Sequence, residues 1–381
     1  MRTSFEEQEL VRRSVAKLLE RCGPEGDGAG RAGQTSALWQ ALAQDLELLG
    51  PGVRSLEDYL PLALAAMEEL GAALVAEPFL QTAIIGALLL AQCDEATAAP
   101  IREAVGRGRA VFAFAWAEPQ GRWNPIDVAT LAHRDAEGWR LEGRKSTVSA
   151  ASQATHFFVT ARTHGGVGER DGLSLFLIDR DTPGLSIKDF RSRDGRSLGE
   201  VYFEGVRLGS HAVIGNVGGA ADTMDLVFDG ANVAICSEAL GIMRSMLEMT
   251  VEYLRTRRQF GAQLGTFQAL RHRVADMKLA LEQSTSIVQV AAQTLLEPAP
   301  IRAQMAAAAK VVVADSCRFV AQSAVQLHGG NGISAEFAVG QFFTRATTLE
   351  REFGTPGHYL ERYCKNMMRE FSDCTPPPAF N

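Results

Sequence analysis

YLRTRRQFGAQLGTFQAL, residues 253–270, is the stretch from which the rest of this chain is best read. Arg257 and Arg258 close an apolar, helix-forming run just before Gly261, and a guanidinium fork suits a phosphate or pyrophosphate. Downstream comes QLHGGNG, residues 326–332, where Gly329, Gly330 and Gly332 let backbone approach a ligand closely. Singly, a helix-end Arg is most often a solvated charge and a glycine cluster most often a turn. The information lies in the pair and its order, so the surrounding chain decides what it means.

Residues 1–109 read as successive helices: Phe5, Leu10, Val11, Val15, Leu18 and Leu19 recur mostly at three- and four-residue spacing. From about Ala110 the period changes. Short runs such as VFAFAWAEP, HFFVTART and LSLFLID alternate with turn clusters at 165–169 and 181–184, the pattern of a compact β region over 110–220. Helical periodicity returns for 221–381, where Ile242–Arg257, Phe267–Leu296 and Ile301–Val325 suit a bundle of antiparallel helices.

With 45 acidic residues against 38 Lys and Arg, the net charge of −7 provides no global basic field for nucleic acid or an anionic membrane. The six cysteines have no metal-ligand spacing, so neither a zinc site nor a disulfide framework is expected. The polar start MRTSFEEQEL does not resemble a signal peptide, and Leu80–Cys93 is shorter than the ~20 residues a membrane helix needs. The expectation is a soluble, cytoplasmic protein with no metal, membrane or nucleic-acid partner.

The two motifs, with FEEQEL near the start, AEPFL at 76–80, PheGln at 267–268, Glu336 and Gly354–Thr355, resemble the acyl-CoA dehydrogenase family. The likeness runs along nearly the whole chain, and is greatest to the small subunits of heteromeric pimeloyl-CoA and steroid side-chain dehydrogenases. It implies a mainly α fold with a β-barrel-like middle domain and a C-terminal four-helix bundle. It also implies FAD, an acyl-CoA substrate and α,β-desaturation, in which a carboxylate removes the α-proton and a hydride leaves from the β-carbon.

That base has two homes in the family. The first, directly before Gly-Thr, is Phe353; the second, near the start of the first C-terminal helix, is Ala231, followed by Asn232 where Arg is usual. Glu352, Glu350 and Asp229 are nearby substitutes, each more simply a surface or capping carboxylate. No catalytic residue is therefore expected in this chain, with Glu352 the weak substitute.

The resemblance also divides the FAD contacts. Those a neighbouring subunit supplies map onto Arg257, Gln259, Phe260, Gln326, Gly329 and Gly330, all of suitable type. The flavin-ring cradle is eroded: Ala117 and Thr147 replace a Thr and a Trp, while Ser149 and Thr355 keep hydroxyls. Trp116 and Trp123 read as packing residues, Trp116 with the option of closing a pocket; His328 and His358 read as packing or hydrogen-bonding residues. The implied role is a subunit that lacks the base and completes the FAD site of a second dehydrogenase subunit, most simply in a heterotetramer. The alternatives are a self-sufficient homo-oligomer with a relocated carboxylate and a flavin-free scaffold.

Overall fold

A computed structural model describes residues 4–23, 36–334 and 337–373, without the side chains beyond Met368. Glu336, Cys374 and the proline-rich end at 376–378 lie outside the described residues. The N-terminal part is helical: α1 (Phe5–Cys22), α2 (Ala37–Gln44), α3 (Leu56–Ala72), a π-helical turn (Leu80–Ile85) running into α4 (Gly86–Leu90), and α5 (Glu95–Gly106). Local chemistry sets the starts. The Ser4 hydroxyl accepts the Glu7 N–H while Glu7 accepts the Ser4 N–H, a capping box, and Ser36, Ser55 and Asp94 cap α2, α3 and α5.

Eight strands follow: β1 (Phe112–Ala115), β2 (Leu131–Arg134), β3 (Gly138–Ser149), β4 (His156–Arg162), β5 (Leu173–Asp179), β6 (Leu185–Arg191), β7 (Ser197–Gly209) and β8 (Val213–Ile214). Their order is β6-β7-β3-β2-β4-β5-β8, with β1 parallel to β4. The expected β middle domain is this sheet; among the described residues β6 and β8 remain edges, so it is not a closed barrel. Long β3 and β7 bend around an interior of Trp139, Leu141, Phe157, Phe176 and Phe203. The β3–β7 register shifts between Lys145 and Val148, and Thr147 takes φ 51° there. This bulge re-aims the end of β3, including Thr147 and Ser149.

The C-terminal part holds α6 (Ala221–Thr256), a hairpin of β9 (Arg258–Gln259) and β10 (Ala262–Gln263), α7 (Gln268–Gln293), α8 (Ala299–His328), α9 (Val339–Leu349) and α10 (Pro356–Asp373). Helix α6 is long and apolar enough to cross a membrane, but 94% of that apolar stretch is buried in the protein. It is a core helix, packed against α3, α7, α8 and α9. Against α3 the approach is backbone to backbone. A Cβ on Gly71 would lie 2.3 Å from the Glu238 carbonyl oxygen, and one on Gly241 only 1.9 Å from that of Glu68.

Candidate functional site

Two surfaces gather the residues singled out from the sequence, and they lie at opposite ends of α6. The first is a cleft of about 290 Å³ where the N-terminal helices, the sheet and the α9–α10 turn meet. Trp116, Ala117, Trp123, Thr147, Ser149 and Phe353 line it. At its inner wall Trp116 stacks on Phe353 (ring centroids 6.0 Å apart, planes at 26°), and Phe228 packs edge-on against both, at 4.7 and 5.3 Å. Phe353 is buried and takes φ 54°. Two side chains hold this turn: Tyr359 Oη donates to the Phe353 carbonyl at 2.9 Å, and Lys310 Nζ donates to the carbonyls of Leu349 and Glu352 at 3.0 and 2.9 Å. Trp116 thus occupies the cleft wall, beyond simple packing within the sheet.

Ala231 is fully buried and presents only a methyl group. Its neighbour Asn232 donates to the Phe228 carbonyl at 2.9 Å and to Tyr359 Oη, leaving Asn232 Oδ1 buried without a partner among the described residues.

The three substitute acids are all held by arginines. Asp229 is buried between Arg302 (3.0 Å) and Arg362 (2.7 Å). Glu350 pairs with Arg318 at 2.9 Å. Glu352 does line the cleft, yet its carboxylate meets Arg345 at 2.7 Å. Arg345 also forks onto Glu238, at 2.8 and 2.9 Å, and reaches Asp194 at 2.9 Å. Arg196 joins the same Glu238 at 2.7 Å and donates to the Val75 carbonyl. Burial alone would raise the Glu238 carboxyl, but Arg196 and Arg345 outweigh it and hold it below its ordinary value. This cluster ties α6, α9, the β6–β7 turn and Val75, beyond the end of α3, together beneath the cleft.

Sequence reading missed that cluster because its members are far apart. Its one local signal was Glu238, a charge inside an apolar helix, which must find a partner. It also missed two cleft residues from the AEPFLQ segment. Burial pushes the Glu77 carboxyl up, and the Ser36 hydroxyl donates to it at 2.5 Å. Gln81, in the π-helical turn, keeps Oε1 buried without a partner among the described residues.

The second surface is at the far end of α6. Tyr253 stacks on His328 (4.5 Å, 28°), and Asn331 donates to Tyr253 Oη at 3.2 Å, which brings the ends of α6 and α8 together. His328 is buried, its Nδ1 2.8 Å from the Ala324 carbonyl, and burial lowers its pKa; it is a packing residue that sets this geometry. Arg257, Gln259, Phe260, Gln326, Gly329 and Gly330 are all exposed here. Among the described residues neither Arg257 nor Arg258 meets a carboxylate. Phe260 and Gly261 turn the β9–β10 hairpin with φ 54° and 78°, and Phe260 is 88% exposed. A phenylalanine in a left-handed turn, held out in solvent, is strained for no gain within this chain. A Cβ on Gly329 or Gly330 would meet nothing within 4 Å, so the backbone there is bare.

Thr355 belongs to neither group: its hydroxyl accepts the His358 N–H and caps α10. His358 is half-buried and packs edge-on to Tyr359 at 5.2 Å.

From Phe228 to Thr256 α6 rises about 40 Å, and even from Glu238 about 27 Å. A ring in the cleft and a pyrophosphate at Arg257 of the same copy are therefore too far apart to belong to one dinucleotide. The class defined is a three-part chain, helices, then a sheet region, then a helical bundle, whose bundle end presents bare glycine backbone and arginines that meet no carboxylate among the described residues.

The chain belongs to the acyl-CoA dehydrogenase family: the models of that family's C-terminal and middle domains match residues 218–366 and 113–206. A probable acyl-CoA dehydrogenase of Mycobacterium leprae, FadE25, is 29% identical over 249 residues, 65% of this chain and 64% of that protein. The chain thus aligns with somewhat less than two thirds of the length of such relatives. Butyryl-CoA dehydrogenase from Megasphaera elsdenii superposes with a TM-score of 0.87 at 25% identity, over 96% of this chain and 99% of that one. A chain of the ChsE4–ChsE5 complex from Mycobacterium tuberculosis has the same fold, with a TM-score of 0.82 at 23% identity over 98% and 99%. Family members are FAD flavoproteins. Of the two surfaces here, the Arg257 end could hold the pyrophosphate of such a cofactor. The cleft, at about 290 Å³, lies near the lower limit of the roughly 300–1,000 Å³ of small-molecule sites.

Proposed function

We propose that this chain is a subunit of an FAD-dependent acyl-CoA dehydrogenase that does not carry the proton-abstracting base and completes the FAD site of a partner dehydrogenase chain. The observation that carries this reading is the Trp116–Phe228–Phe353 cluster. It fills the wall where a base would stand, while Glu350, Glu352 and Asp229 are each neutralised by an arginine. Abstracting an α-proton needs a carboxylate free to take it, in reach of the carbon.

Bound FAD supplies the hydride acceptor. This chain's contribution is to bind and orient: Arg257 toward the pyrophosphate, Gln259 and Gln326 as neighbouring amides, and the bare backbone at Gly329 and Gly330 for close approach. The separation of about 27–40 Å along α6 supports a cofactor shared between chains rather than held by one. An unlike partner is supported by the erosion of the cleft, since two identical chains would offer two eroded cradles. The structural likeness to a chain of a two-component complex is in keeping with this. The acyl group would then sit in the partner, with a bulky, steroid-like chain as the substrate class to try first. The test is the purified chain, alone and co-expressed with a companion dehydrogenase, on a panel of acyl-CoA thioesters. Turnover is expected only for the pair.

A second reading, a self-sufficient enzyme with a relocated base, has Glu77 in its favour. This carboxylate lines the cleft, meets no arginine or lysine among the described residues, and has its pKa raised by burial. Turnover by the homogeneous chain that disappears in Glu77→Gln would establish this reading over the first.

A further inference from the structure

The wall of the cleft carries an amide that no described residue uses. Gln81 lines the cleft and is 6% exposed, yet Oε1 has no hydrogen-bond partner among the described residues, and none of them bonds Nε2. A polar group so enclosed is costly to leave unpaired. The backbone fixes it there: Gln81 lies in the π-helical turn Leu80–Ile85, where the Gly86 N–H reaches back to the Gln81 carbonyl. Such turns concentrate at functional sites. The last torsion of a glutamine is broad, so both ends of this amide can turn to a group in the cleft.

The surroundings define what that group belongs to. Leu80, Phe114, Trp116, Trp123 and Phe353 line the same cleft, and flat rings gain most from an offset or edge-on partner ring. Arg345 and Arg196 are committed to Glu238, Asp194 and Glu352. Arg351 is the exposed cation of the lining, and Glu77 accepts from the Ser36 hydroxyl. The unspent group among the rings is therefore the Gln81 amide. Its complement is a second amide, which returns a hydrogen bond at each end. A space of about 290 Å³ suits one small planar guest.

We propose that the cleft binds a small planar aromatic carboxamide or lactam, its ring among Trp116, Trp123 and Phe353 and its amide paired reciprocally with Gln81. This rests on the proposed function in one respect, that no flavin ring fills the cleft.

The test is calorimetric titration of the full chain, purified alone, with 2-naphthamide, 2-acetonaphthone and 2-naphthoate. The ketone keeps the shape and the acceptor but has no N–H for Oε1, and the carboxylate lacks one too. One saturable site is expected for the amide, with the ketone and the carboxylate weaker by about tenfold, the cost of a buried acceptor left unpaired. Gln81→Met, similar in shape and without the amide, should bind amide and ketone equally. Ala117→Trp, which sets a ring in the cleft, should abolish binding; if it fails to fold, Gln81→Met still decides. No saturable amide binding, equal or tighter binding of the ketone or the carboxylate, a preference that survives in Gln81→Met, or unchanged binding in folded Ala117→Trp overturns the proposal. The visible spectrum of the purified chain separates the two readings. A flavin-free chain with no amide preference overturns this proposal alone, whereas a chain that purifies with its own flavin overturns the proposed function with it.

Discussion

Arg345 shows how unequal the charged residues around the cleft are. Its side chain is 3% exposed and serves Glu238, Asp194 and Glu352 at once. Arg345→Met leaves Glu238 and Asp194 buried with Arg196 as their remaining cation, and should cost about 3–5 kcal/mol in urea unfolding. Glu352→Gln removes the one member with a side chain 29% exposed, and solvent screening limits its cost to about 1 kcal/mol or less. The Glu118–Lys145 pair, 2.6 Å apart and fully desolvated, makes a prediction in pH. Burial would raise Glu118, but Lys145 and the neighbouring hydrogen bonds outweigh it and bring its pKa to about 2, from an ordinary 4.5. A depressed carboxyl stabilises the fold above its unfolded pKa and ceases to do so as pH falls through the folded one. Between pH 4.5 and 2 the chain should thus lose on the order of 3 kcal/mol on this account. Lys145, lowered to about 8 chiefly by burial, stays charged throughout that window. Unfolding curves of the wild type and of Glu118→Gln/Lys145→Met check it, the double variant losing less stability over that range.

The elements divide between those legible in the sequence and those that were not. The helix–strand–helix succession followed from periodicity, because a 3.6-residue apolar stripe and a two-residue alternation are local properties. The two motifs at Arg257 and Gln326–Gly330 were legible for the same reason, since each is contiguous. Their convergence depends on α6 and α8 ending side by side, which Tyr253 and His328 secure across the bundle. What the sequence could not reveal were contacts between distant segments: Glu238 with Arg345, and Asp229 with Arg302 and Arg362. Asp229 looked like a possible base because nothing local says that two arginines neutralise it. Glycines separate in the same way. Gly241 admits no Cβ because the Glu68 carbonyl lies 1.9 Å from where it would stand, so Gly241→Ala should destabilise by about 3 kcal/mol or more as α3 and α6 are forced apart. Gly330 meets nothing, and Gly330→Ala should change thermal stability by no more than about 0.5 kcal/mol while lowering flavin retention in the assembled complex.

Across the whole molecule, the length of α6 separates the Trp116–Phe353 cleft from a surface of arginines that meet no carboxylate among the described residues, an exposed Phe260 and bare backbone. The proposed role rests on each being completed by another chain. Arg257→Ala should therefore reduce FAD retention in the complex by about tenfold or more, since a charge-assisted contact is worth roughly 1.5–3 kcal/mol. Ser149→Ala, in the cleft, should matter far less; the reverse pattern would exchange the roles of the two ends. The most direct measurement is the ratio of flavin to polypeptide in the complex formed with the partner dehydrogenase, after gel filtration. The account predicts one FAD for each pair of unlike chains. One FAD per chain would contradict it, because the cleft of this subunit would then still be holding a flavin of its own.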